Sequence, residues 1–274
     1  MELSDGQAPA KLNLTLHVTG QRADGWHLLD SLVVFARFGD TVVQDDRPGL
    51  TVDGPMAAGV PTGPDNLVLR AARLAGAEAP ALRLIKRLPP ASGMGGGSSD
   101  AAATLRLHGA RPGIEALMAL GADLPVCMEA PQPCRMRGLG EDVTPISSLP
   151  GLWLLLVNPG LPLETPAVFR ALRQRNNPPM PDRLPDFADA AALAGWLATQ
   201  RNDLEAPARA LVPQIGEVLD ALAAQPGCLL ARMTGSGATC FGIFASQGAC
   251  DAGAAALARP GWFTVATRTA HAQT

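Results

Sequence analysis

The chain has 274 residues, 47% hydrophobic and 17% charged, with 25 acidic against 22 basic residues and a formal net charge of −3. That much apolar material fills one large core or two ordinary ones and excludes a disordered chain, while the charge gives no electrostatic reason to expect nucleic acid or an acidic membrane as partner. No apolar run is long enough for a bilayer span, residues 1–5 lack the features of an export signal, and five cysteines without a Cys-x-x-Cys pair point to a reducing cytoplasm rather than to disulfides or a structural zinc.

Residues 10–18 alternate, with Leu12, Leu14, Leu16 and Val18 set against Lys11, Asn13, Thr15 and His17. This is the period of a strand with one apolar and one polar face, and it puts Lys11 and Asn13 on the same side. Such a face is ordinarily solvated, yet here it offers short donors and acceptors. Lys11 and Lys86 are the only lysines, all other basic residues being arginine. An ammonium is a compact point charge, so these two are either functional choices or surface survivors. A turn-rich loop over 19–25 ends in Trp26 and His27, which read as a stacking plane beside a hydrogen-bonding ring or as a half-buried core pair. Strands are expected over 31–38, 41–44 and 50–52, joined by short polar turns. Asp65 and Asn66 cap a helix to about residue 75, with Leu67, Val68, Ala71, Ala72 and Leu74 as its apolar stripe. Alternation returns over 82–87.

From Leu88 the chain runs through Pro89 and Pro90 to Gly93, Gly95, Gly96, Gly97, Ser98 and Ser99, then into an alanine-rich helix over 100–108. Glycines let the backbone take φ > 0 and approach a ligand closely. The first N–H groups of the helix lack internal partners and carry partial positive charge. Strand, side-chain-free loop and helix N-terminus together suit a phosphate; the plain alternative is a glycine-rich connector. The loop is not a Walker A motif, since no Gly-Lys-Ser/Thr ends it, and not the dinucleotide fingerprint, since Ser98 stands at its last position. A short helix over 113–120 follows. Asp123, between Gly121 and Pro125, reads first as a cap for the next element and second as an acid/base. Strands are expected over 126–128 and 134–137, with a tight turn over 138–142.

Residues 147–151 interrupt the pattern and divide the chain into domains 1–148 and 149–274. A continuous apolar strand covers 153–157. Thr165 reads as an N-cap with Pro166 at the first helical position, opening a helix that carries Phe169 and ends near residue 174. A proline-rich loop covers 175–185. Helices are expected over 187–199 and 204–224, the latter interrupted by Pro207 and Pro213. A strand over 228–233 enters a second glycine loop, Thr234-Gly-Ser-Gly-Ala238. A strand over 240–244, a helix over 249–258 and a strand over 262–267 complete an α+β fold in layers.

The loop from Pro89 to Ser99 and the one from Thr234 to Ala238 resemble the glycine motifs of the small-molecule kinases of the galactokinase, homoserine, mevalonate and phosphomevalonate superfamily. Pro9, Lys11, Asn13 and the run Thr19-Gly-Gln-Arg-Ala-Asp-Gly-Trp-His27 narrow the resemblance. So do Asp65-Asn66-Leu67, residues 120–125, Thr165-Pro166 and Asn202-Asp-Leu-Glu205. They are similar to the branch that phosphorylates the 2-hydroxyl of a cytidine-diphosphate-linked methylerythritol in the non-mevalonate isoprenoid route. The matches span residues 9–242.

The resemblance implies a two-domain α+β kinase fold, each domain a mixed or antiparallel sheet packed with helices. The active site would lie in the cleft between an N-terminal ATP-binding and a C-terminal substrate-binding domain. It implies ATP with Mg²⁺, for which no protein ligand is assigned. Asp123 would be the general base and Lys11 its partner. Pro89, Gly93, Gly95, Gly96, Gly97, Ser98 and Ser99 would hold phosphates, and Asn66 and Lys86 would lie near the nucleotide base. Trp26, standing where tyrosine is usual, and Phe169 would sandwich the cytosine of a substrate with a cytidine diphosphate moiety. His27 would bond the edge of that ring, and Asn13 and Thr165 would hold the substrate. The rivals are a sister kinase for a mevalonate- or homoserine-type substrate, and a non-catalytic nucleotide-binding protein on the same fold. A monomer or weak dimer is expected.

Overall fold

A computed structural model of the chain describes residues 4–271. Met1, Glu2 and Leu3, part of the stretch read above as lacking an export signal, lie outside them. The early alternation builds β1 (Gln7–Asn13) and β2 (His17–Gln21), both antiparallel to the long β3 (His27–Gln44). Residues 10–18 are therefore two strands rather than one. The break falls where Leu14 N donates to Leu32 O and Leu16 N to Arg201 O. The polar face of this segment is not solvated: Lys11, Asn13, Thr15 and His17 are all buried.

The expected strands 31–38 and 41–44 are one. Gly39 makes no turn between them but sits against β1, where a Cβ would lie 2.1 Å from Ala8 O. Glycine is there for close approach, a use that local turn statistics do not reveal. The first half continues with β4 (Gly49–Asp53), α1 (Leu67–Leu74), β5 (Ala81–Ile85), α2 (Gly96–Leu107), α3 (Ile114–Leu120), α4 (Leu124–Met128), β6 (Cys134–Gly138) and β7 (Asp142–Pro145). Residues 126–128, expected as a strand, belong to α4, because Pro125 is tolerated in a first helical turn. The sheet order is β4-β5-β3-β6-β7, with β1 and β2 also on β3; β4 and β5 are parallel and the other pairs antiparallel. Val33 and Phe35 of β3 pack against Ala101, Ala102 and Leu105 of α2 and Leu124 of α4.

The second half holds β8 (Trp153–Asn158), α5 (Thr165–Ala171), α6 (Ala190–Ala198), α7 (Glu205–Leu211), α8 (Gln214–Ala223), β9 (Cys228–Met233), β10 (Cys240–Phe244), α9 (Gln247–Leu257) and β11 (Phe263–Arg268). Its sheet, β11-β8-β10-β9, is antiparallel throughout. Glu164, not Thr165, is the residue before α5, so Thr165 is the first helical residue. Pro207 falls in the first turn of α7 without interrupting it, and Pro213 separates α7 from α8. The two sheets share a core in which Leu12, Leu32 and Val34 meet Leu154, Leu156 and Phe241. No helix of the described residues is long and apolar enough to cross a membrane.

Gly39→Ala should lower stability by at least about 1–3 kcal/mol, the usual cost of forced overpacking, read as a lower urea midpoint. Gly63→Ala, where nothing lies within 4 Å of an added Cβ, should leave the midpoint nearly unchanged.

Candidate active site

Two glycine loops from opposite halves of the chain meet backbone to backbone. Gly93 has φ +77°, and a Cβ on it would sit 2.7 Å from Thr234 O; one on Gly235 would sit 2.6 Å from Gly93 O. β1 runs alongside and is tied to both loops: Lys11 N donates to Met94 O at 2.9 Å, and Asn13 N to Thr234 Oγ1 at 2.9 Å. The alternation of β1 then sends the Lys11 and Asn13 side chains to one side, onto the wall of a cavity of about 300 Å³ beside the first loop.

That cavity is a cradle for an anion. Gly95, at φ +63°, precedes α2 and offers no side-chain cap, so the first N–H groups of α2 have no partner within the helix. A Cβ on Gly95 would press on the Lys11 side chain at 3.1–3.2 Å. Ser98 also lines the cavity. Lys11 is buried, and its Nζ lies 2.7 Å from Asp123 Oδ1, whose side chain is 37% exposed. Asp123 occupies the cap position of α4 but makes no capping hydrogen bond. The cap reading is thus overturned: Lys11 holds the carboxylate at the cavity instead. Asn13 Nδ2 donates to Ser31 Oγ at 2.7 Å, and Asn13 Oδ1 is buried without a protein partner.

A second cavity, of about 580 Å³, opens beyond the first and is lined by Trp26, His27 and Arg175 among others. Leu29, Ser98, Asp123, Thr165 and Phe169 line both cavities. Thr165 Oγ1 lies 2.7 Å from Ser236 Oγ of the second glycine loop. Phe169 stacks on His27, with ring centroids 4.7 Å apart and planes 27° from parallel, while Trp26 is 60% exposed. The structure thus stacks Phe169 on His27 and places Trp26, exposed, on the wall of the same cavity. Burial, and next the Arg175 guanidinium, push the His27 pKa below its ordinary value. His27 Nε2 is buried and unpartnered.

Four expected phosphate or nucleotide residues stand off the walls of these two cavities. Asn66 caps α1, its Oδ1 accepting from Val68 N at 2.9 Å and its Nδ2 donating to Pro61 O at 2.6 Å; the next residue, Leu67, lines the first cavity. Ser99 points into the core and donates to Pro9 O at 2.8 Å. Pro89 lines a separate hollow with Met56 and Trp262. Lys86 is buried beneath the loop, where a Cβ on Gly96 would meet its Nζ at 3.1 Å.

Lys86 Nζ donates to Asp40 and, at 2.8 Å, to Asp100. Burial works against the ammonium, but the Asp100 and Asp40 carboxylates outweigh it and raise the Lys86 pKa. Burial is also the main cause that pushes Asp100 up to about 8, with Lys86 opposing the shift and Asp40 adding to it. Asp40 and Asp100 carry no local motif, and only the fold brings them to Lys86. Arg175 is equally unmarked, whereas Ser236 belongs to the second glycine loop that the sequence already singles out. Among the described residues no group of three or more His, Cys, Asp or Glu could hold a metal ion.

The sequence matches the family models described as GHMP kinases N terminal domain, over residues 66–124, and GHMP kinases C terminal, over residues 170–261. The chain belongs to the GHMP kinase family, and its fold is the two-domain α+β kinase fold expected from the glycine motifs. A relative from Dinoroseobacter shibae is 58% identical over 270 residues, covering 96% of this chain and 93% of its own length. One from Paracoccus denitrificans is 58% identical over 269 residues, covering 97% of each. Both bear the name 4-diphosphocytidyl-2-C-methyl-D-erythritol kinase. A crystal structure of 4-(cytidine 5'-diphospho)-2C-methyl-D-erythritol kinase matches with a TM-score of 0.74 at 33% identity, over 96% of this chain and 98% of that one.

The buried cluster makes a prediction about pH. Unfolded, Asp100 titrates at about 3.9; folded, at about 8. Between these values the native state holds a proton that the unfolded state has released, so this group's contribution to stability falls as pH rises through that window. Asp100→Asn removes the dependence while keeping a donor of similar shape. The melting temperature of Asp100→Asn relative to wild type should therefore climb from about pH 5 to about pH 8. A difference that does not change with pH would contradict this.

Proposed function

We propose that the chain transfers the γ-phosphoryl group of ATP to the 2-hydroxyl of 4-diphosphocytidyl-2-C-methyl-D-erythritol in the non-mevalonate isoprenoid route. The observation that carries this reading is that Asp123, ion-paired to Lys11, lines both cavities at once. Phosphoryl transfer needs in-line positioning and charge neutralisation more than covalent chemistry. A nucleotide in the glycine cradle presents its terminal phosphoryl group from one side, and an acceptor in the aromatic cavity presents a hydroxyl from the other. Asp123 takes the hydroxyl proton as the new O–P bond forms and the bond to ADP breaks. Lys11 orients that carboxylate and offsets the negative charge on the transferring group.

The backbone of Gly93, Gly95, Gly96 and Gly97 would hold the phosphates, with Ser98 beside them, and Asn13 and Thr165 would hold the acceptor. Mg²⁺, the usual companion of ATP, would neutralise phosphate charge when bound. Lys86 would act from beneath the loop through its charge, Ser99 and Pro89 would support the loop, and Asn66 would shape the wall through its cap on α1. Phe169 and the neutral imidazole of His27 give the cytosine a stacking face and a polar ring at one edge. Trp26, at the rim, would close over the opposite face.

The names borne by the close relatives support the substrate. A mevalonate- or homoserine-type acceptor would leave the aromatic face without use, and a non-catalytic nucleotide binder would not need the Lys11–Asp123 pair. The division near residue 148 is supported by a first sheet within residues 7–145 and a second within 153–268, although the acceptor cavity draws on both halves. The proposal includes action as a monomer or weak dimer, and free cysteines support the cytoplasm.

Asp123→Ala should lower ADP release by about 10²–10⁴-fold or more, the usual worth of a general base, while calorimetry shows nucleotide still bound. Turnover near that of wild type would overturn the assignment of Asp123.

A further inference from the structure

The acceptor cavity carries positive charge that the reaction above leaves unused. α5 turns Thr165, Pro166, Phe169 and Arg170 to its wall, spaced as one face of a helix. Arg175 joins them from the loop that follows. Among the described residues the only carboxylate on that wall is Asp123, already paired with Lys11. Arg170 has no hydrogen bond or ion pair among the described residues. Among the described residues Arg175 has neutral partners only: its Nε donates to Leu172 O at 3.2 Å and its Nη1 to Gln21 Oε1 at 3.1 Å. Gln21 Nε2 in turn donates to Gly25 O at 2.9 Å, in the loop that carries Trp26. Arg175 is thus braced at the rim with its charge uncompensated. Its field reaches His27, whose pKa burial lowers first and Arg175 lowers further.

A guanidinium presents donors in a planar fork that matches two phosphate oxygens. Two such groups carry the charge needed to offset a diphosphate diester, and they line the cavity that also holds the aromatic face and Asp123. We infer that Arg170 and Arg175 form the subsite for the diphosphate of a nucleoside diphosphate conjugate, and so select acceptors that carry one. This inference rests on the substrate reading above and adds to it the residues that recognise the linking group. Arg173, on the same stretch of chain, does not line the cavity and serves as the control.

The test compares competitive inhibition by cytidine and by cytidine 5'-diphosphate, and KM for the cytidyl-diphosphate acceptor, in Arg170→Gln, Arg175→Gln, their double variant and Arg173→Gln. Wild type should bind the diphosphate more tightly than the nucleoside. Each single variant should lose about tenfold of that preference, the equivalent of one charge-assisted contact, and the double variant nearly all of it. KM for the acceptor should rise in parallel, with kcat and KM for ATP within about twofold of wild type. Arg173→Gln should behave as wild type. A preference retained in the double variant, or lost equally in Arg173→Gln, overturns the subsite. Equal binding of cytidine and its diphosphate by wild type does so too. A wild type that binds neither compound overturns the substrate reading beneath it as well.

Discussion

The site depends on one close approach. Gly93 in the first half of the chain and Gly235 in the second lie so near each other that a Cβ on either would fall within 2.7 Å of the opposing backbone. Each also has φ > 0, where L side chains are strained. The consequence is geometric. β1, bonded through its backbone to both loops, is held in one register, and its alternation then decides which side chains face the phosphate cradle. Lys11 and Asn13 do, and Lys11 fixes Asp123.

Charge is arranged around the same loop. The only two lysines of the chain are both buried against carboxylates, Lys11 on the cavity wall and Lys86 beneath the first turn of α2. Removing one partner of a buried pair typically costs about 3–5 kcal/mol, so the Lys86 ammonium, enclosed with both its carboxylates, is tied to the fold as firmly as the core is. Two carboxylates around one buried ammonium leave a negative excess under an anion site. The upward shift of Asp100 relieves that excess by keeping a proton there. Lys11 differs in having a partner that opens to the cavity, and that opening separates a reactive pair from a structural one.

Much of this was legible in the residues. The two glycine loops, the Asn66 cap and the period-2 polar face at Lys11 and Asn13 rest on local rules of backbone and pattern. The misread elements share a cause. Gly39 looked like a turn because its reason, the backbone of Ala8, lies on another strand. Residues 126–128 read as a strand because three apolar residues have no period, and Asp123 read as a cap because its partner Lys11 is far away in sequence. The Asp40–Lys86–Asp100 cluster and the His27–Phe169 stack are juxtapositions of distant segments, which no spacing encodes. Tertiary contact decided each of these.

The central claim is that Asp123 stands where a nucleotide and a cytidyl-bearing acceptor meet. The most direct test is coupled ADP release by wild type with ATP and a panel of acceptors: the cytidyl-diphosphate methylerythritol, the same polyol without its cytidyl group, mevalonate and homoserine. ADP release should saturate with the first alone. Saturation with mevalonate or homoserine, or ADP release that ignores the acceptor, would contradict the account.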